Sequence, residues 1–235
     1  MPTSFNRKAG YTVVIAGFLS LAFGLTTLSA VLDFFSLDGA PASEIATFLQ
    51  THVGLLDLAL ISTLVGYLLA VPMMLMITEA TFVGLTDRSR SRHVALGLVW
   101  ASLPLRPLWW AGVITLMPSL LAASEQGTDQ ATATATFVGY QMLYTVLNTA
   151  TEDIAINILG GSWFVLVGLT IASTRKLPAV LGWIGVVIGV FYIVSAAEVF
   201  GLSLASSLGI IQLVVSVAGP FWLGIAGMVA VRKLR

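Results

Sequence analysis

The stretch VGLLDLALISTLVGYLLAVPMMLMI, Val53 to Ile77, decides the fold. It runs 25 residues with one ionisable side chain, Asp57, and as a helix rising 1.5 Å per residue it is about 37 Å long. That is more than the ~30 Å hydrocarbon layer of a bilayer. A helix satisfies its own backbone hydrogen bonds in lipid, so an apolar run of this length reads as a membrane-spanning helix. It lacks the short alternating segments of a β-barrel strand.

Five further runs of similar character flank it: Tyr11–Leu32, Val94–Leu121, Ile154–Ala172, Ala179–Val199 and Ser207–Val231. The expectation is therefore an all-α polytopic membrane protein, six transmembrane helices in one bundle, with residues 1–235 forming a single domain. Composition points the same way. The 235 residues are 57% apolar and 9% charged, where a soluble domain is about a quarter charged, so too few polar side chains exist to cover a globule. Eleven basic and eleven acidic residues cancel, which excludes a globally basic nucleic-acid binder. The lack of cysteine excludes disulfides, thiolate nucleophiles and thiolate metal sites. The first run is too long for a signal-peptide core, and no convincing small-x-small cleavage site follows it, so it reads as an uncleaved span.

Orientation follows from the cations. Arg7 and Lys8 precede span 1, Arg88, Arg90 and Arg92 lie between spans 2 and 3, Arg175 and Lys176 between spans 4 and 5, and Arg232, Lys233 and Arg235 close the chain. Six spans place all of these on one side, which the positive-inside rule assigns to the cytoplasm together with both termini. The opposite connections carry Asp33, Asp38, Glu44, Glu125, Asp129, Glu152 and Asp153 and no basic residue. The 14-residue apolar stretch Phe137–Ala150 is too short to cross. Counting it as a span would move Arg175, Lys176 and the C-terminal cluster to the acidic side. Phe137, Tyr140, Leu143 or Tyr144, and Leu147 recur at helical spacing, so it is expected as a short amphipathic helix on the outer surface, running on into span 4 or ending before it. Ala42–Thr51 is a second short outer helix, with Ser43 as its N-cap.

Glycines supply the packing signals. Gly10, Gly17 and Gly24 share one face of span 1, and Gly185 and Gly189 form a GxxxG in span 5 with Gly182 one turn earlier. Small residues let helix backbones approach where lipid supplies no hydrophobic drive. These faces serve either helix packing within the chain or a second copy or partner membrane protein. Pro104 and Pro107 are expected to bend span 3, whose 28 residues are about 42 Å long and need a kink or tilt to fit.

Polar residues at membrane depth are the candidate site. Arg106 lies twelve residues, about 18 Å, into span 3. An arginine there costs on the order of 2.5–3.5 kcal/mol, so it is expected to face the bundle and find a partner. Asp57 in span 2 and Glu198 in span 5 are the candidate acids, with Asn157, Gln212 and His52 in the same outer half. With its guanidinium snorkelling outward, these residues form a polar cluster open to the outer face. Two readings stand side by side: an ion pair locking span 3 to its neighbours, and a pocket for a ligand or ion. Trp109 and Trp110 beside it either pack in the core or line the pocket by stacking. The basic loop at Arg88–Arg92, with Glu79 and Asp87, reads as a solvated salt-bridge set able to meet anionic lipid headgroups.

Several chemistries are argued against. No lysine lies within a span to carry retinal, and His52 and His93 fall on opposite sides, which excludes a bis-histidine haem. There is no His-Glu-x-x-His, no serine with a histidine at membrane depth and no phosphate loop after a strand. No cofactor or metal is expected.

The segment Ser162–Ala172, followed by Ser173-Thr-Arg-Lys-Leu-Pro-Ala-Val-Leu-Gly182-Trp-Ile-Gly185, resembles the bacterial integral membrane family catalogued as domain of unknown function 4386. The shared pattern is an apolar span, a short basic turn ending in Leu-Pro, a Leu-Gly-rich helix and a basic tail after the last span. Members resemble one another in an Arg-x-x-Glu arrangement in span 3, whereas here Arg106 is followed by Pro107-Leu108-Trp109. The resemblance implies six helices in a bacterial cytoplasmic membrane and no established activity. Three functional classes follow in order: a non-catalytic accessory or partner-binding subunit, a binder or transporter of a small, anionic solute at Arg106, and, last, a membrane enzyme, since no nucleophile, metal set or acid–base pair stands out.

Overall fold

The computed structural model describes residues 6–33, 42–108, 110–112, 149–196 and 208–234, with isolated positions between 114 and 147. All of its regular structure is helical, and no strand occurs among the described residues. Helix α1 (Arg7–Thr26) continues into a π turn, Thr27–Val31. Helix α2 (Ala42–Phe82) holds one non-helical residue, His52, at φ −119° and ψ 15°. The outer helix expected over Ala42–Thr51 is thus the first part of α2, hinged at His52. A 3₁₀ turn, Thr86–Arg88, leads into α3 (Ser89–Ser102). A π segment, Thr149–Gly160, precedes α4 (Gly161–Thr174), and α5 (Ala179–Ser195) and α6 (Leu208–Lys233) follow.

Three helical stretches are long and apolar enough to cross a membrane: Arg7–Val31, Thr51–Phe82 and Thr145–Thr174, of 25, 32 and 30 residues. Thr145, Val146 and Leu147, from the stretch expected as a surface helix, fall in the same helical stretch as the π segment and α4. Phe137, Tyr140, Leu143 and Tyr144 lie outside the described residues.

Span 3 breaks where its prolines predict. Helix α3 ends at Ser102, Leu103–Leu105 form a turn, and helix resumes at Arg106. Pro104 has no N–H to donate. Short i→i+3 bonds replace the ladder here: Leu105 N–H donates to Ser102 O at 3.2 Å and Leu108 N–H to Leu105 O at 3.2 Å. Pro72 and Pro220, by contrast, sit inside continuous helices.

Glycines set the helix contacts, and the pairings are antiparallel. On α1, a Cβ at Gly17 would lie 2.8 Å from Met73 Sδ, and one at Gly24 would lie 2.9 Å from the Ala59 carbonyl of α2. The α4–α5 pair is tighter. A Cβ at Gly182 would stand 2.5 Å from the Ala172 nitrogen, and one at Gly189 would stand 2.6 Å from the Gly161 carbonyl. Gly185 faces the Trp222 ring of α6, whose Nε1 donates to Leu181 O at 2.7 Å. Helix α6 closes on α1 through Phe18 and Phe221, with ring centroids 5.1 Å apart.

The resulting bundle has an apolar exterior. Ile15, Leu19 and Phe23 on α1, Leu58, Ile61, Val65 and Leu68 on α2, and Val187, Val190 and Phe191 on α5 are exposed. Thr63, Thr78, Thr81 and Thr170 are buried, each hydroxyl donating to the carbonyl four residues earlier. The basic segments gather at one end. Arg7 Nε donates to Leu234 O at 3.2 Å, Arg88 Nη1 to Ser173 Oγ at 3.0 Å, and Arg92 pairs with Glu79 at 2.5 Å.

Where backbone stands behind a missing Cβ, a side chain has nowhere to go. Gly182→Leu is expected to destabilise the protein by about 3 kcal/mol or more, the upper end of overpacking. Gly185→Leu, which meets the edge of the Trp222 ring and not backbone, should cost less. Gly97→Leu, with nothing within 4 Å of its Cβ position, should stay within about 0.5 kcal/mol of wild type. Thermal unfolding in detergent, followed by circular dichroism, ranks the three.

Candidate functional site

Arg106 is buried, with 4% of its surface exposed, at the first helical residue after the break in span 3. Its Nε donates to Ser102 Oγ at 3.1 Å, and its Nη2 approaches Met74 Sδ at 3.5 Å. The same Nη2 would lie 3.6 Å from a Cβ at Gly160, so the guanidinium rests over the end of the π segment. Ser102 itself donates to Val99 O at 2.8 Å, which aims its lone pairs at the arginine. The charge is therefore enclosed by a hydroxyl, a thioether and a bare stretch of backbone.

This geometry corrects the expected direction of the side chain. The sequence reading has Arg106 snorkelling towards the outer end to meet Asp57, Glu198 or water held by them, of which Glu198 lies outside the described residues. The structure turns it the other way, back towards the N-terminus of α3, as helical Cα–Cβ bonds direct side chains. Its contact on α2 is Met74, 17 residues and about 25 Å along the helix from Asp57. Asp57 is exposed and takes no part in the centre. It stands 22 residues, about 33 Å, from Glu79 at the basic end of α2, with no charged residue between them.

Asn157 is buried, at 5% exposure, on the π segment between Thr151 and Gly160. Both of those positions meet span 3: Thr151 Oγ1 donates to Leu105 O at 2.9 Å, and Gly160 underlies Arg106. Farther along the same antiparallel pair, Leu147 packs against Gly112. Trp110 is buried and stacks on Tyr67, centroids 5.6 Å apart and planes 26° from parallel, one turn beyond Arg106. It contacts a ring of the chain itself and gives the centre an aromatic lid on that side. Trp109 and Glu198 lie outside the described residues, as does the side chain of Gln212 on α6. His52 marks the hinge in α2, its Nδ1 3.0 Å from Phe48 O.

Two tyrosines absent from the expected cluster lie inside the bundle: Tyr67 stacks on Trp110, and Tyr192 packs against Phe164 with ring centroids 5.5 Å apart. The Tyr192 hydroxyl occupies the space that a side chain at Gly219 would fill. A signal for these tyrosines was present in the sequence. Tyrosine prefers the membrane–water interface, and both lie well inside the spans expected from the sequence. Ser102 was also legible, as the residue four before Arg106 on one helix face. Met74 and the π segment carried no comparable signal.

A rim of paired groups borders the centre towards the basic end. Trp163 Nε1 donates to Thr78 Oγ1 at 2.9 Å, both fully buried. Thr78→Val would strand that indole N–H and is expected to cost about 1–3 kcal/mol. Ser102→Ala should fall at the upper end of the same range, since its acceptor serves a charge. In a double-mutant cycle, Arg106→Leu and Asp57→Asn should add to within about 0.5 kcal/mol, as for separated sites. A coupling well above that would restore the pairing of Arg106 with Asp57.

With this geometry in hand, comparison with known proteins places no relative beside the chain. No family model matches it, and neither a curated protein nor a solved structure matches it.

Proposed function

We propose that the chain is an integral membrane protein of six spans with both termini and the basic end facing the cytoplasm of a bacterium, and that its Arg106 centre binds the anionic group of a small solute. The exposed helix faces are apolar while the interior carries hydroxyls and a guanidinium, an arrangement suited to lipid rather than water. The spacing of about 33 Å between Asp57 and Glu79 fits one hydrocarbon layer, with a carboxylate at each surface.

The observation that carries the solute reading is the buried Arg106 guanidinium, lodged between a helix break and a 12-residue π segment. Ionisable groups at membrane depth mark functional sites by default, and π geometry recurs at such sites. A guanidinium offers a planar fork of donors that matches a carboxylate or phosphate. The aromatic Tyr67–Trp110 stack beside it suits the apolar body of such a solute.

The accessory-subunit reading is weighed down by the glycines. Gly17, Gly24, Gly185 and Gly189 all face helices of the same chain, which leaves those surfaces unavailable to a partner helix. An enzyme remains the third reading, with no reactive pair to favour it.

Two measurements test the proposal. The chain has no cysteine, so Ser89→Cys and Glu44→Cys give clean labels, and an impermeant reagent applied outside cells should modify only the second. Labelling of both would discard the topology. For the centre, a panel of small carboxylates and phosphates should include at least one that raises the melting temperature of the wild type. A ligand at 100 times its Kd stabilises by about 2.7 kcal/mol. That gain should vanish in Arg106→Gln and persist in Asp57→Asn. A panel without effect, or a gain unchanged in Arg106→Gln, would remove the solute reading.

A further inference from the structure

Two loops meet at the basic end of the bundle, and their contact organises cations in a way the Arg106 centre does not use. The connection after α2 turns at Gly84, whose φ of +75° a side chain rarely adopts, and then carries Arg88. The connection between α4 and α5 turns at Arg175, in the left-handed region at φ 55°, and carries Lys176. The loops touch at two points. Arg88 Nη1 donates to Ser173 Oγ at 3.0 Å, and Lys176 Nζ lies 3.8 Å from the Cβ position of Gly84. Leu177, 1% exposed, plugs the second loop into the core and fixes its height.

Arg88 is half-buried and held, while Arg175 and Lys176 are exposed. The acid of this junction is Asp87, because Glu79 is already paired with Arg92. Three cations against one carboxylate leave a net positive surface. Four and seven residues beyond Lys176, in the first two turns of α5, Val180 and Trp183 are 68% and 59% exposed. A positive patch bordered on its bundle side by an exposed indole and an apolar helix face matches a molecule that is anionic at its head and apolar in its body.

We propose that the junction of these two loops is a binding site for an anionic phospholipid, with Arg88 and Lys176 taking the headgroup phosphate and Trp183 and Val180 flanking the upper acyl chain. The site rests on the membrane reading above but not on the Arg106 centre. Basic pockets between helices at this depth suit such headgroups, and tryptophan suits the headgroup level.

The test uses the full chain reconstituted in nanodiscs of phosphatidylcholine alone or with one third phosphatidylglycerol, and follows thermal unfolding and lipid retained in native mass spectrometry. Phosphatidylglycerol should raise the melting temperature and be retained preferentially. In the double variant Arg88→Gln, Lys176→Gln, the apparent affinity should fall about 30-fold, as expected for losing two cations at a membrane surface. The equally charged control Arg232→Gln, Lys233→Gln should keep the wild-type response, and so should Arg88→Lys. An equal loss in the control would show a diffuse surface potential and overturn the site. Stabilisation of the detergent-solubilised protein by inorganic phosphate alone would assign the cations to a free anion instead. Incorporation into both discs with identical melting would overturn the lipid site while leaving the membrane reading intact. Failure to enter either disc would overturn both.

Discussion

Close approach of helix backbones is the constraint on which the rest of this structure depends. Where lipid surrounds a bundle, burying apolar side chains gains little, because the acyl chains outside are equally apolar. What remains is van der Waals contact, and that rises steeply when Cβ atoms are removed. Gly161, Gly168, Gly182 and Gly189 bring α4 and α5 so near that their carbonyls and nitrogens lie where side chains would be. Gly24 and Gly66 do the same for α1 and α2, while Gly17 leaves room for the Met73 and Leu69 side chains. These two pairs, with α6 between α1 and α5, make a rigid wall.

Span 3 and the π segment differ from that wall in every respect. They meet through polar contacts, Thr151 to the Leu105 carbonyl and Arg106 over Gly160, instead of through paired glycines. Their backbones depart from regular α geometry at the same place, span 3 through Pro104 and its partner through i→i+5 bonding. A charge lodged between two irregular helices is easier to rearrange around than one held in the glycine-packed wall. That contrast, more than the presence of arginine alone, sets the Arg106 centre apart from the rest of the bundle.

Much of this was legible in the chain. The apolar run at Val53–Ile77, the proline pair and the clustering of cations rest on length, missing N–H groups and charge, all local properties of sequence. The burial of Arg106 was legible too, because an unpartnered guanidinium in lipid is too costly. Its direction was not. Choosing among distant acids requires knowing the relative height of two helices, and α2 runs on to Phe82, deeper than its apolar core suggests. Asp57 then falls towards the end of α2 away from the cations, while Met74 falls beside Arg106. Neutral contacts such as Met74 escape a search for opposite charge, and a π segment has the same composition as an α-helix. Tyrosine carries no formal charge at neutral pH, so its burial leaves no electrostatic signal in the chain.

The clasp between Arg7 and the carbonyls of Arg232 and Leu234 joins the start of α1 to the end of α6. Phe18 reaches its neighbour Phe221 only after about 200 further residues have been translated. At 5–20 residues per second that is a wait of about 10–40 s. During it, the Phe18 edge of α1 stands open to whatever surrounds the nascent chain, so this seam of the bundle is sealed only once α6 has been made. Loss of α6 would therefore unclose α1, made about 200 residues earlier, as surely as its own neighbourhood.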